Sequence, residues 1–394
     1  MQRVLIQFVF LIAAVVGLSY ACGQLWGGRP EGLTDTQPLV VDQAMTVAEF
    51  GQRNELTPML LKKLFDLEAP ADRQKPVATF GMSDEQIVKK AKGLLALQAE
   101  HGSKNWVKIL VKFGLWLAFL SFVFVLMVQG RVTAKNRTWL LLAAVAIFGL
   151  ALGSDPSPMG TVKDAIVLLG GSGVVFPPRL IAFGVFLLMV IVANKFICSW
   201  GCQLGTLQDA IFRLGRDKQD RKGLIRQFKV PFAISNGIRI AFCAAIVAFA
   251  FVWATDLVEG IDPFKVFKPQ MLGLVGVAFV GAVLVLSLFT WRPWCQFLCP
   301  FGLVGWAAEK ISVFKVHVDY DKCVACGACE KACPSTVMSA ILKRDHVIPD
   351  CFACGTCIET CPAKAISFQA GKRSKPPASK FAVDIVKTEA SVAN

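Results

Sequence analysis

A chain of 394 residues that is 55% apolar and 18% charged, with mean hydropathy +0.55, carries more apolar side chain than one soluble core of that length needs, so an integral membrane protein is expected. Its formal charge of +14 then reads as basic residues held at a cytoplasmic face, not as a nucleic-acid footprint. Fourteen cysteines beside three histidines (His101, His317, His346), with no C-x-x-C-H run, exclude c-type haem and argue against a histidine-ligated haem in the bilayer.

Six apolar runs, near 4–20, 109–129, 138–153, 180–198, 236–255 and 271–290, approach the roughly 20 residues that a helix needs to cross about 30 Å of hydrocarbon. Residues 1–22 fit a signal peptide or an anchor helix, because Arg3, an apolar run and Ser19-Tyr20-Ala21 satisfy both. Segment 23–105 reads as a small exported helical domain, with helices expected to open at Thr46, at Pro58 and at the 83–86 cap. It has no catalytic signature and suits a spacer or docking module. Residues 106–312 hold the remaining spans. The stretches 130–137, 203–234 and 291–394 together with Arg3 net twelve positive charges, whereas 23–105, 154–178 and 256–270 net three negative. Basic residues stay on the cytoplasmic side, so the first group faces the cytoplasm and the second the periplasm of a multi-pass bacterial inner-membrane protein.

The membrane region repeats itself. Asp155-Pro156, a helix and Cys198-x3-Cys202-x2-Gly205 are matched by Asp262-Pro263, a helix and Cys295-x3-Cys299-x2-Gly302, so four helices form an internal repeat. A spacing of four sets both thiols of a pair on one helix face or its exit turn. Cys198, Cys202, Cys295 and Cys299 are therefore the candidate redox residues, either as four sulfur ligands of a third metal or iron–sulfur site or as two dithiols, and both readings stand. Cys22 and Cys243 read as small buried apolar residues. Asp155, Asp164, Glu259 and Asp262 on the outer side are either proton acceptors or ordinary loop and capping residues. Trp200, Trp291 and Trp294 flank the membrane cysteines, as part of an inner ligand site or as interfacial anchors.

Between 323 and 361 the pattern is sharper. Cys323-x2-Cys326-x2-Cys329-x3-Cys333-Pro334 is followed by Cys351-x2-Cys354-x2-Cys357-x3-Cys361-Pro362, the bacterial two-cluster ferredoxin pattern, in which the fourth cysteine of each run serves the other cluster. Cys323, Cys326, Cys329 and Cys361 would hold one 4Fe-4S cluster, and Cys351, Cys354, Cys357 and Cys333 the other. Gly327 and Gly355 give backbone freedom between the second and third ligands. Zinc, which pairs C-x2-C units over longer gaps, fits less well. Strands over 315–319 and 365–368 complete an α+β module at 313–369, and the tail 370–394 is expected to be flexible. The fold class is thus an all-α transmembrane bundle carrying a C-terminal two-cluster ferredoxin module.

Over 138–365 the chain resembles the membrane-bound polyferredoxins typified by the quinol-dehydrogenase membrane subunit of periplasmic nitrate reduction, the membrane regulator of nitrous oxide reductase and the accessory ferredoxin of cbb3 oxidase assembly. The family's C-x3-C-P is kept at Cys295 to Pro300, whereas Gln203 stands where the first site would have proline. Segment 23–105 lacks the Ser/Thr-Gly-Ala-Thr flavin-attachment motif of the flavin-bearing branch. The resemblance implies an electron-transfer subunit of a quinol-linked oxidoreductase, with membrane lipid, quinone and a redox protein as partners and no nucleic acid. The alternatives are an assembly factor that reduces a metal ion or partner thiols through its membrane cysteines, and a redox regulator.

Overall fold

The computed structural model describes residues 2–25, 39–67, 69–216, 223–343 and 345–377, so most of the tail reading, at 378–394, lies outside the described residues. Among the described residues four helices are long and apolar enough to cross a bilayer: Gln2–Gln24, Trp106–Val128, Ala134–Ala151 and Phe232–Trp253. Two further apolar helices, Pro177–Ala193 and Leu274–Leu286, fall on the other expected spans but are shorter. The reason lies at their ends. Asn194 turns to φ 56° immediately after Ala193, and Leu274–Leu286 is capped at Ser287 before a left-handed Arg292 at φ 49° leads into Pro293–Phe297, so each rod stops before the cysteines and a new short helix begins. Phe10, Leu110, Phe122, Val252 and Leu274 are exposed, an apolar surface suited to lipid.

The connection expected over 154–178 contains a helix, Pro158–Ser172. Ser157 caps it by accepting from the Gly160 N–H, Pro158 sits at its first turn and Gly173 ends it at φ 65°. It lies close against Phe232–Trp253: a Cβ at Gly170 would meet the Ala250 carbonyl at 2.6 Å, so only glycine allows this crossing. At 256–270 the chain forms tight 3-10 turns.

Three helices build the segment before the bundle. Val47–Arg53 and Asp84–Ser103 each open with a reciprocal capping box, Thr46 with Glu49 and Ser83 with Gln86, while Pro58–Phe65 starts on its proline. They close over Phe50, Leu61, Leu64 and Phe65 in a separate apolar core. The N-terminal helix buries Val4 and Val15 against Val145, Leu207 and Val266 of the bundle.

At the other end, Phe314–Val318 and Ile366–Ala370 pair antiparallel, with Val316 opposite Phe368. The apolar cluster that starts at Trp116, Phe148 and Phe186 continues without a break through Cys198 and Cys295 to Cys333, Cys351 and Phe368. The ferredoxin end therefore shares its core with the bundle, and the C-x3-C elements lie at the seam.

Candidate functional site

The two C-x3-C elements have one local architecture. Cys198 sits in the five-residue helix Phe196–Trp200 and Cys202 leads into Gln203–Arg213; Cys295 sits in Pro293–Phe297 and Cys299 leads into Pro300–Ala308. All four are buried. Each following glycine lies against the opening cysteine of its own element, because a Cβ would meet the Cys198 carbonyl at 2.6 Å from Gly205 and the Cys295 carbonyl at 2.8 Å from Gly302.

What joins the elements is a set of buried cations. Arg292 reaches back to the first element, donating to the carbonyl of Cys198 at 2.5 Å and to that of Ser199 at 3.1 Å. Lys195 reaches forward to the second, donating to the Gly302 carbonyl at 2.5 Å. Arg292 pairs with Asp209 at 2.8 Å, and Lys195 and Arg239 both pair with Asp350, the latter at 2.9 Å. Burial alone would raise the Asp209 carboxyl, but Arg213 and Arg292 hold it well below the usual carboxylate range. These residues were missed from sequence although a signal exists: Lys195 and Arg292 each stand three residues before the first cysteine of a pair, and Arg239 is a cation within an apolar span.

Trp200, Trp291 and Trp294 are not interfacial anchors. All three are fully buried; Trp200 donates to the Ala353 carbonyl at 3.1 Å and Trp291 to Asp209 at 2.8 Å. Of the four loop carboxylates, Asp155 is paired with Lys268 at 2.5 Å, Asp164 with Lys163 at 2.8 Å, and Asp262 accepts from the Phe264 N–H at 2.9 Å. Those three carboxylates are spent on ion pairs and caps. Glu259 begins a 3-10 turn and its carbonyl accepts from Lys265.

The eight ferredoxin-pattern cysteines gather into two groups. Cys323, Cys326, Cys329 and Cys361 line one concavity beside Val318, Leu342 and Ile366. Burial pushes the Cys329 thiol up to about 11, reinforced by the sulfurs of Cys361, Cys323 and Cys326. Burial likewise raises Cys357, and there the neighbouring sulfurs are Cys333, Cys354 and Cys351 before Cys329. The fourth cysteine of each run thus sits with the first three of the other. In both loops the residues flanking the second cysteine turn left-handed, Ala325 and Gly327 at φ 53° and 67°, Ala353 and Gly355 at φ 49° and 78°, so the chain curls around its thiols. Among the described residues no three His, Cys, Asp or Glu side chains close to metal-ligating geometry. The donor set still fits iron–sulfur clusters: crowded, half-dry thiols resist ionisation until a cation compensates the thiolates, and soft sulfur donors select such a centre.

Known proteins carry the same signature. A family described as 4Fe-4S binding domain matches residues 175–222 and again 272–318, and a 4Fe-4S dicluster domain matches 315–362. The ferredoxin-type protein MauN of methylamine utilization from Methylorubrum extorquens is 28% identical over 212 residues, 50% of this chain and 66% of MauN. The ferredoxin-type protein NapH of Haemophilus influenzae is 27% identical over 177 residues, 44% of this chain and 55% of NapH. YccM of Escherichia coli K12 is 27% identical over 162 residues, 39% of this chain and 44% of YccM. The chain thus spans about half to two thirds of the length of these relatives. No solved structure matches.

Proposed function

For a chain that belongs with the membrane-associated ferredoxin-type proteins carrying 4Fe-4S domains, we propose one function: a membrane-bound iron–sulfur electron carrier that links the quinone pool to a redox partner of a respiratory chain. One cluster takes Cys323, Cys326, Cys329 and Cys361, the other Cys351, Cys354, Cys357 and Cys333. The observation that carries this reading is the exchange of fourth cysteines between the two groups of thiols. Bound clusters would supply one-electron redox chemistry; the protein's own residues hold them, keep water from the inner thiols and join them to the bundle. In this reading the protein lies in the bacterial inner membrane, with the ferredoxin end cytoplasmic and residues 23–105 periplasmic.

The membrane cysteines are the redox-active residues of the proposal. A third thiolate-ligated centre at Cys198, Cys202, Cys295 and Cys299 is favoured over two dithiols by the charge around them: Lys195, Arg213, Arg239 and Arg292 outnumber Asp209, Asp350 and Glu309, and a cationic excess suits an anionic centre. Gln208 adds a second indication, since its Oε1 lies 3.7 Å from Cys295 Sγ while its Nε2 is a buried donor without a hydrogen-bond partner among the described residues. The alternative function, reduction of a metal ion or partner thiols during assembly of another enzyme, uses the same cysteines as dithiols.

One experiment tests function and alternative together. Anaerobically purified wild type and the Cys295→Ser/Cys299→Ser chain are compared for iron, acid-labile sulfide and quinol-dependent reduction of the clusters. The proposal expects reduction by quinol to be lost while the iron of the two ferredoxin clusters stays. Unchanged reduction sinks it, and metal or disulfide reduction that disappears with the two thiols supports the assembly role.

A further inference from the structure

The two ferredoxin loops differ in how they meet the rest of the molecule. Loop 351–357 is gripped along its length. Asp350 before it is paired with Lys195 and Arg239; the Cys351 N–H donates to Glu309 at 3.3 Å; the Ala353 carbonyl accepts from Trp200 at 3.1 Å and the Cys354 carbonyl from Arg137 at 3.0 Å. Thr356 accepts from Arg213 at 3.2 Å, and Arg137 pairs with Glu359 at 3.2 Å. Lys195 and Arg239 are the same cations that reach the carbonyls of Gly302 and Cys295 in the second membrane element. Loop 323–329 has no such grip among the described residues: Cys326 is exposed, Val324 is 67% exposed and Gly327 has open space beside it. Its nearest tie to the bundle is Lys229, which donates to the Glu330 and Lys331 carbonyls at 2.7 and 3.2 Å from an exposed position.

We infer that the two cysteine groups are ordered, with Cys351, Cys354, Cys357 and Cys333 as the inner station beside the membrane cysteines and Cys323, Cys326, Cys329 and Cys361 as the outer one, open to solvent. Lys195, Arg239 and Asp350 are the positioning residues of the inner station. Lys195 and Arg239 touch both Asp350, just before Cys351, and the backbone of the second membrane element, so they fix the distance between the two and place two buried cations beside the inner group. The inference rests on the reading of the eight cysteines as ligands of two clusters.

The test uses the full chain, purified anaerobically and reduced with dithionite, which supplies one electron to each cluster. EPR is recorded with and without a soluble dysprosium chelate, whose paramagnetism speeds the relaxation of centres near the surface. Of the signals of the two ferredoxin clusters, identified as those that remain in the Cys295→Ser/Cys299→Ser chain, one is expected to relax several-fold faster with the chelate and the other to change little. Arg137→Lys, which keeps the charge but alters the bond to the Cys354 carbonyl, should perturb the slow signal alone. In a redox titration Lys195→Met should lower the midpoint of that same signal, because a cation that favours the added electron is gone, and Lys195→Arg should restore it. Equal relaxation of both signals in wild type, or a fast signal that moves with Arg137 and Lys195, overturns the order while leaving the two clusters standing. A preparation without iron and sulfide overturns the cluster reading and the order with it.

Discussion

Loops 323–329 and 351–357 share the spacing C-x2-C-x2-C and the same left-handed turns, yet the residue after their first cysteine meets opposite surroundings. Val324 points to solvent. Phe352 is buried edge-on against Trp291 with centroids 5.0 Å apart, and Lys195 and Arg292 lie over its ring at 5.2 and 5.4 Å. The lesson is that the cysteine spacing dictates how a loop wraps its metal, while the neighbours of the cysteines dictate where the loop is fastened. One loop is a free ferredoxin end; the other is a joint.

That contrast makes graded predictions, read as thermal loss of cluster absorbance in detergent-solubilised holoprotein. Asp350→Ala should cost most, on the order of 3–5 kcal/mol, because it strands the buried Lys195 and Arg239 without their shared carboxylate; Asp321→Ala, at an exposed position beside the first loop, should stay within about 0.5 kcal/mol. Comparable losses from the two would erase the distinction between joint and free end. Next, Phe352→Ala should cost about 3 kcal/mol by opening a cavity against Trp291, whereas Val324→Ala should be close to neutral. The smallest contrast is between glycines. Alanine at Gly327 or Gly355 pays roughly 1–2 kcal/mol for its left-handed φ, but at Gly355 the new Cβ would also come within 2.9 Å of Met127 Sδ and 3.3 Å of Val132. Gly355→Ala should therefore melt below Gly327→Ala, and adding Met127→Ala should narrow the gap; a gap that Met127→Ala leaves intact would locate the strain elsewhere.

Much of this molecule was legible as letters. Runs of apolar residues announced the bundle, Thr46 and the 83–86 cap announced their helices, and Val316 and Phe368 lie in strands where alternation suggested them. The cysteine spacing suggested a division of eight thiols into two groups, and Cys323, Cys326, Cys329 and Cys361 line one concavity. Less legible were the helix ends. A window of apolar residues cannot see that Asn194 turns left-handed, nor that Gly170 lets a helix at 158–172 nest against Ala250, because both depend on what the chain packs against afterwards.

The sequence by itself therefore determined the membrane class, the spacing of every sulfur and the local turns that wrap them, since these follow from hydropathy, side-chain chemistry and backbone preferences within a few residues. Only the tertiary structure decided that Lys195 and Arg292 cross between the two C-x3-C elements, that Asp350 closes the circuit with Arg239, and that one ferredoxin loop is buried while its twin stays open. The physical reason is range. A buried cation must find its carboxylate or carbonyl wherever the fold brings one, here across 155 positions from Lys195 to Asp350, and no local pattern encodes a partner at that distance.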